Sequence, residues 1–281
     1  RPINRGFERT VMMADSGADN WEKRSYLPLY SEAHWYADGE ETSLPDDFYS
    51  SKFLVDKAIE FIESNKDDDK PFFSYIPFQA VHVPVQAPKE FTEKYLGVYD
   101  QGWSELRKNR QAGVKEKGLI AAGTEMVDMH TTKDWDALTD EERRFHSKSM
   151  AVYAGMVDAM DHNIGRFIQY LKDSGEYDNT IFIFTSDNGA EPSAPHELSK
   201  LFPFWLWRVG YSREYETLGE KGSYGYIGPS FASAAAGPFS YYKFFSGEGG
   251  MRVPMIIAGP AVPENKKGSI NHAMTYVKDL T

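Results

Sequence analysis

Residues 179–191 read NTIFIFTSDNGAE, and the fold turns on this stretch. The unbroken apolar run from Ile181 to Phe184 is too short for a helix and rich in β-forming types, so it predicts a strand. A strand without polar alternation is the kind buried on both faces of a parallel sheet. It leads directly into Asp187, Asn188 and Gly189, a turn signal at the strand's C-terminal end. In open α/β sheets that end is where ligands bind.

Upstream of this strand, Thr139 and Glu142 form a capping box at the head of the longest predicted helix. Its apolar stripe is Phe145, Val152, Met156, Met160, Ile164, Phe167 and Leu171, with Gly175 as the stop. Further back, Phe53, Leu54, Ala58, Phe61 and Ile62 give a second amphipathic helix from Ser50, ended by Asn65 and an acidic run. PFFSYIPF (71–78) then reads as a short buried strand. Helix followed by buried strand predicts an α/β fold with a mixed, largely parallel central sheet flanked by helices, in one domain over 1–281. Residues 89–137 are strongly charged and irregular and read as a surface insertion. The first 48 residues read as loops around a short strand pair, and 191–240 as aromatic-rich loops with short helices.

The 281 residues carry a formal net charge of -11, which excludes a nucleic-acid surface because phosphate neutralisation needs clustered Lys and Arg. An acidic chain that handles an anion must concentrate positive charge locally, through a lysine or a bound cation. There is no cysteine, so disulfides and thiolate sites are excluded, and a cytoplasmic or a periplasmic setting both remain open. No apolar run approaches the roughly 20 residues of a membrane-spanning helix.

Three places carry candidate chemistry. Asp187 and Asn188 offer two hard oxygen donors suited to Ca²⁺ or Mg²⁺, or they are a plain turn. His82 lies in a loop held extended by Pro77, Pro84 and Pro88, as a proton donor or oxyanion ligand, or as a structural histidine. Lys243, ahead of a glycine turn and a strand over 253–258, is an anion ligand or a solvated lysine. The other six histidines, including His196, have no motif around them. Gly222, Gly225 and Gly228 do not make a phosphate loop, since no strand precedes them, no helix pattern follows and no Lys-Ser/Thr ending is present. Asp158 and Asp161 read as a polar helix face.

Taken in order, the segments 71–88, 153–191 and 241–254 resemble signature segments of type I sulfatases, closest to bacterial arylsulfatases of the alkaline phosphatase superfamily. The likeness extends to the GFER at 6–9 and to 270–281. It implies an alkaline phosphatase-like fold, here incomplete, and hydrolysis of a small-molecule sulfate ester. It implies Ca²⁺ bound through Asp187 and Asn188, with His82 and Lys243 on the sulfate. Glu248, Gly249, Gly250, Arg252 and Pro254 would shape the lysine's loop. The family attacks sulfur with a hydrated formylglycine, made from the first residue of a C/S-x-P-x-R motif. Ser43 and Ser193 each precede an x-Pro but lack the following arginine, so the nucleophile is absent from these residues. The family's N-terminal Asp pair and Lys-x-His motif also have no counterpart. The expectation is a chain truncated at both ends and inactive by itself. Two alternatives are a phosphonate monoester hydrolase or phosphodiesterase of the same superfamily, and a non-catalytic anion-binding homologue.

Overall fold

The computed structural model describes residues 1–67, 70–195 and 199–280; His196 and part of the acidic run after Asn65 lie outside them. The fold is α/β, built of helices and two small sheets. Its spine is a 34-residue helix, Asp140–Asp173. The Thr139 hydroxyl accepts from the Glu142 backbone N–H at 3.2 Å, and the Glu142 carboxylate accepts from the Thr139 N–H at 2.8 Å. These are the two arms of the predicted capping box. At the other end Gly175 takes φ +83, and the Glu176 N–H closes the last turn on the Leu171 carbonyl at 2.9 Å.

We number the helices α1 (Ser50–Asn65), α2 (Lys89–Thr92), α3 (Gly102–Glu116), α4 (Asp140–Asp173), α5 (Phe202–Arg208), α6 (Gly228–Ala236) and α7 (Glu248–Met251). Helix α1 packs on α4 through Val55, Ala58, Phe167 and Leu171, all buried. Arg166 reaches across to Asp56 at 2.7 Å. Helix α2 crosses α4 at Gly155, where any Cβ would press on the Thr92 backbone at 2.9 Å. Helix α6 follows Gly228 despite the absence of a helix signal in the sequence. Pro229 sits in its first turn, and alanine and serine supply most of the rest.

The segment 89–137 differs from the surface insertion expected of it. Trp103, Met129 and Trp135 enter the largest core cluster with Met150, Val152, Met156, Ile227 and Phe231. Trp103 and Trp135 stack edge-to-face at 4.6 Å. The charges of α3 that suggested a surface occupy its outer side, while Trp103 and Arg107 turn inward.

The strands are β1 (Val11–Met13), β2 (Trp35–Ala37), β3 (Glu40–Glu41), β4 (Phe182–Thr185) and β5 (Met255–Ala258). β1-β2-β3 form an antiparallel meander, and β4 pairs with β5, also antiparallel, with Phe182 opposite Ala258 and Thr185 opposite Met255. The large, mostly parallel sheet expected from the apolar run is therefore absent among the described residues. The 71–78 stretch forms no strand. Nor is β4 buried on both faces, since Ile183 is 47% and Phe184 44% exposed. An unbroken apolar run reports that a strand is suited to burial; it carries no information about pairing direction.

Candidate active site

The paired strands β4 and β5 set the site's frame, because the loop leaving β4 and the loop entering β5 emerge at the same end. The Gly189 N–H donates to the Gly250 carbonyl at 2.9 Å, and the Lys243 N–H donates to the Ala190 carbonyl at 3.1 Å. Only glycine fits at Gly189, since a Cβ there would overlap the Gly249 carbonyl. Gly249 and Gly250 are similarly forced, against the carbonyls of Tyr241 and Phe245. Glu248, Gly249 and Gly250 fall in the one-turn helix α7, which shapes the lysine's loop. Tyr241 and Phe244, flanking Lys243 closely, take positive φ of 65 and 79. Such backbone is costly for aromatic residues and concentrates at functional loops.

His82 arrives from the other side. Val83 and Val85 anchor its loop in the core, and the Val85 N–H bonds the Gly225 carbonyl at 2.9 Å. His82 Nδ1 lies 2.9 Å from the Val83 carbonyl. A carbonyl only accepts, so Nδ1 carries a hydrogen and Nε2 is the atom left for exchange. The Tyr26 hydroxyl stands 3.5 Å from Nδ1. Nε2 faces Lys243 Nζ at 2.8 Å. The two residues singled out in the sequence, 161 positions apart, are thus in direct contact.

A third group meets them that sequence reasoning missed. Glu191 Oε2 lies 2.6 Å from Lys243 Nζ and 3.1 Å from His82 Nε2, while Oε1 accepts from the Ser193 N–H at 2.9 Å. The Glu191 side chain is 6% exposed, Lys243 19% and His82 43%, so the carboxylate lies beneath the pair and the imidazole faces outward. Burial alone would raise the Glu191 carboxyl, but His82, Lys243 and the Ser193 contacts outweigh it and hold the group at about 2. Burial, and then the same carboxylate, push the Tyr26 phenol up. A lysine drawn out of solvent needs a carboxylate nearby, but nothing in the opening stretch marks Glu191, two residues past the turn, as that carboxylate.

Asp187 is exposed and Asn188 half-buried in the turn just before Glu191. Asn188 Nδ2 donates to the Gly189 carbonyl at 3.1 Å, which leaves Oδ1 as a donor for a cation. These are hard oxygen atoms of the kind Ca²⁺ takes. Among the described residues no group of three or more His, Cys, Asp or Glu comes together to hold a metal. Asp187 and Asn188 therefore fit a hard cation in type and fall short of a shell in number.

The sulfatase family profile matches residues 2–281. The chain belongs to the sulfatase family. As a type I sulfatase of the alkaline phosphatase superfamily, it is 38% identical over 291 residues to an uncharacterized sulfatase of Schizosaccharomyces pombe, covering 99% of this chain and 51% of that one. It is 33% identical over 282 residues to an arylsulfatase of Klebsiella aerogenes, covering 99% of this chain and 60% of that one. A multifunctional alkaline phosphatase superfamily protein of Trinickia caryophylli is 26% identical over 67% of this chain and 37% of its own. This sulfatase chain thus spans about half to three-fifths of the length of the first two relatives. Its fold also resembles the crystal structure of Ps i-CgsB in complex with k-i-k-neocarrahexaose, with a TM-score of 0.53 at 20% identity, over 93% of this chain and 42% of that one. Among the described residues no helix is long and apolar enough to cross a membrane.

Proposed function

We propose that these residues are part of a hydrolase of sulfuric esters, supplying the sulfate-binding and proton-donating side of its site. The observation that carries this reading is the 2.8 Å contact between Lys243 Nζ and His82 Nε2, two residues brought from distant loops onto one partly open face. Lys243 has three N–H donors; Glu191 Oε2 lies 2.6 Å away as its ion-pair partner, and once His82 holds a proton on Nε2 a donor facing that nitrogen is left for a sulfate oxygen. His82 carries a proton on Nε2 to the departing alcohol or phenol oxygen, while the Val83 carbonyl keeps Nδ1 and the ring plane fixed. Asp187 and Asn188 would hold Ca²⁺ through two oxygen atoms, fewer than the ion's full shell. When bound, that ion supplies Lewis-acid polarisation of the sulfate. The sequence has no cysteine and no Ser-x-Pro-x-Arg, so the 281 residues alone turn over no sulfate ester.

The test is an assay of the gene product containing these residues on matched aryl sulfate and aryl phosphonate esters. Preference for sulfate, lost in His82→Ala and Lys243→Ala, supports the proposal. Preference for the phosphonate favours the second reading, a phosphonate monoester hydrolase or phosphodiesterase. Absence of a C/S-x-P-x-R codon run from that gene overturns both in favour of an anion-binding homologue.

A further inference from the structure

Glu191 has a place in the anion pocket that the sulfate-binding reading does not require. A carboxylate oxygen 2.6 Å from Lys243 Nζ and 3.1 Å from His82 Nε2 occupies the position of an anion's oxygen, yet it comes from the protein and sits below the pair. With His82 neutral, the lysine and the glutamate cancel and the cluster has no net charge. With His82 protonated, the cluster carries +1.

We propose that Glu191 is a positioning residue that clamps Lys243 against His82 and offsets the lysine's charge, so that the pocket attracts a sulfate dianion only when His82 holds a proton on Nε2. Both partners lie close to Nε2. Neutral His82 accepts from Lys243 at 2.8 Å, and Glu191 Oε2, 3.1 Å away, is within ion-pair distance of a protonated ring. The groups that face His82 are Glu191, Lys243 and the Tyr26 hydroxyl, with the Val83 carbonyl fixing the other nitrogen. Of these, only Glu191 brings negative charge. The benefit is that the anion and the leaving-group proton arrive together: a sulfate ester bound to an unprotonated pocket would have no proton for the alcohol or phenol oxygen that departs as the S–O bond breaks.

This inference rests on the sulfate-binding reading, and the experiment separates them. Inorganic sulfate is titrated into the 281-residue chain at pH 5.5 and pH 8, followed by the ring ¹⁵N resonances of His82 and the Nζ resonance of Lys243. In the wild type, affinity is expected to be about tenfold or more weaker at pH 8 than at pH 5.5. Glu191→Gln keeps the shape and removes the charge, so it should bind sulfate at pH 8 about as well as the wild type does at pH 5.5. Glu191→Asp should restore the pH dependence. A structural role alone predicts the opposite, weaker binding at both pH values. A folded Glu191→Gln with unchanged or weakened binding at pH 8 overturns the role of Glu191 and leaves the pocket standing. Wild-type resonances that ignore sulfate at both pH values overturn the pocket itself. If the glutamine variant does not fold, the wild type decides alone, since equal affinity at both pH values refutes the charge offset.

Discussion

A single carboxylate, Glu191, concentrates much of the site's electrostatics, and its acidity gives a sign that can be checked. Its folded value of about 2 lies below its ordinary 4.5. The stabilisation is therefore complete above pH 4.5 and is lost as pH falls through about 2, with a size of about 3 kcal/mol. Urea unfolding of wild type and Glu191→Gln should show a stability gap at pH 6 that closes between pH 4.5 and 2. A gap of constant size across that window would mean the carboxylate is not ion-paired. At the turn before it, Asp187 and Asn188 provide two oxygens where Ca²⁺ takes six to eight. Calorimetry on the chain is expected to give weak calcium binding, in the millimolar range or above, and a submicromolar value would contradict the two-ligand assignment. Of these residues, His82, Lys243 and the Asp187–Asn188 turn could be picked out in the sequence, because each sits in a segment with a recognisable spacing. Glu191 could not, since its importance arises from a lysine 52 positions later that only the folded loops bring to 2.6 Å.

At the level of elements, legibility followed periodicity. Helices α1 and α4 were readable because their buried residues repeat at helical spacing and α4 carries its cap in the sequence. The strand β4 was readable as a strand but not in its pairing, because direction depends on which segment lies alongside. Helix α3 departs from the surface reading of its charges, and α6, a short helix within 191–240, has no readable bounds because an Ala/Ser helix presents no contrast between faces. The cap of α4 yields a quantitative expectation. Thr139→Ala should cost about 1 kcal/mol, read as a lower midpoint in urea with an unchanged slope. Gly155→Ala should cost more, although alanine favours helices, because its methyl group would be driven into the Thr92 backbone. If Gly155→Ala proved neutral, the close crossing of α2 and α4 would be wrong.

Over the whole molecule, burial is uneven. The helical side encloses Trp103, Met156, Leu171 and Phe231, while the sheet side leaves Phe73, Tyr75, Ile183, Phe184, Ile256 and Ile257 in contact with solvent. Ile183 with Ile257 and Phe184 with Ile256 form cross-strand apolar pairs on the two faces of the β4–β5 ribbon, and exposed apolar surface promotes association. The isolated chain is expected to self-associate and to bind a hydrophobic dye, and Ile256→Lys should reduce both with little change in melting temperature. Light scattering across a concentration series checks this, and a monodisperse wild type at high concentration would count against it. The net charge of -11 opposes association through mutual repulsion, so added salt should worsen it.

The pairing of Thr185 with Met255 bears on how such chains can vary. From that shared rung one loop runs out to Glu191 and the other leads back to Lys243, so the separation of the two side chains is a matter of residue count. Removing one residue from 186–190 would displace the carboxylate by about 3.3 Å, more than the whole contact it makes. Insertions between 195 and 240 leave that count untouched. Lineages should therefore tolerate length changes hardly at all in 186–190, so that gaps there, more than substitutions, would mark the descendants in which this chemistry has been lost.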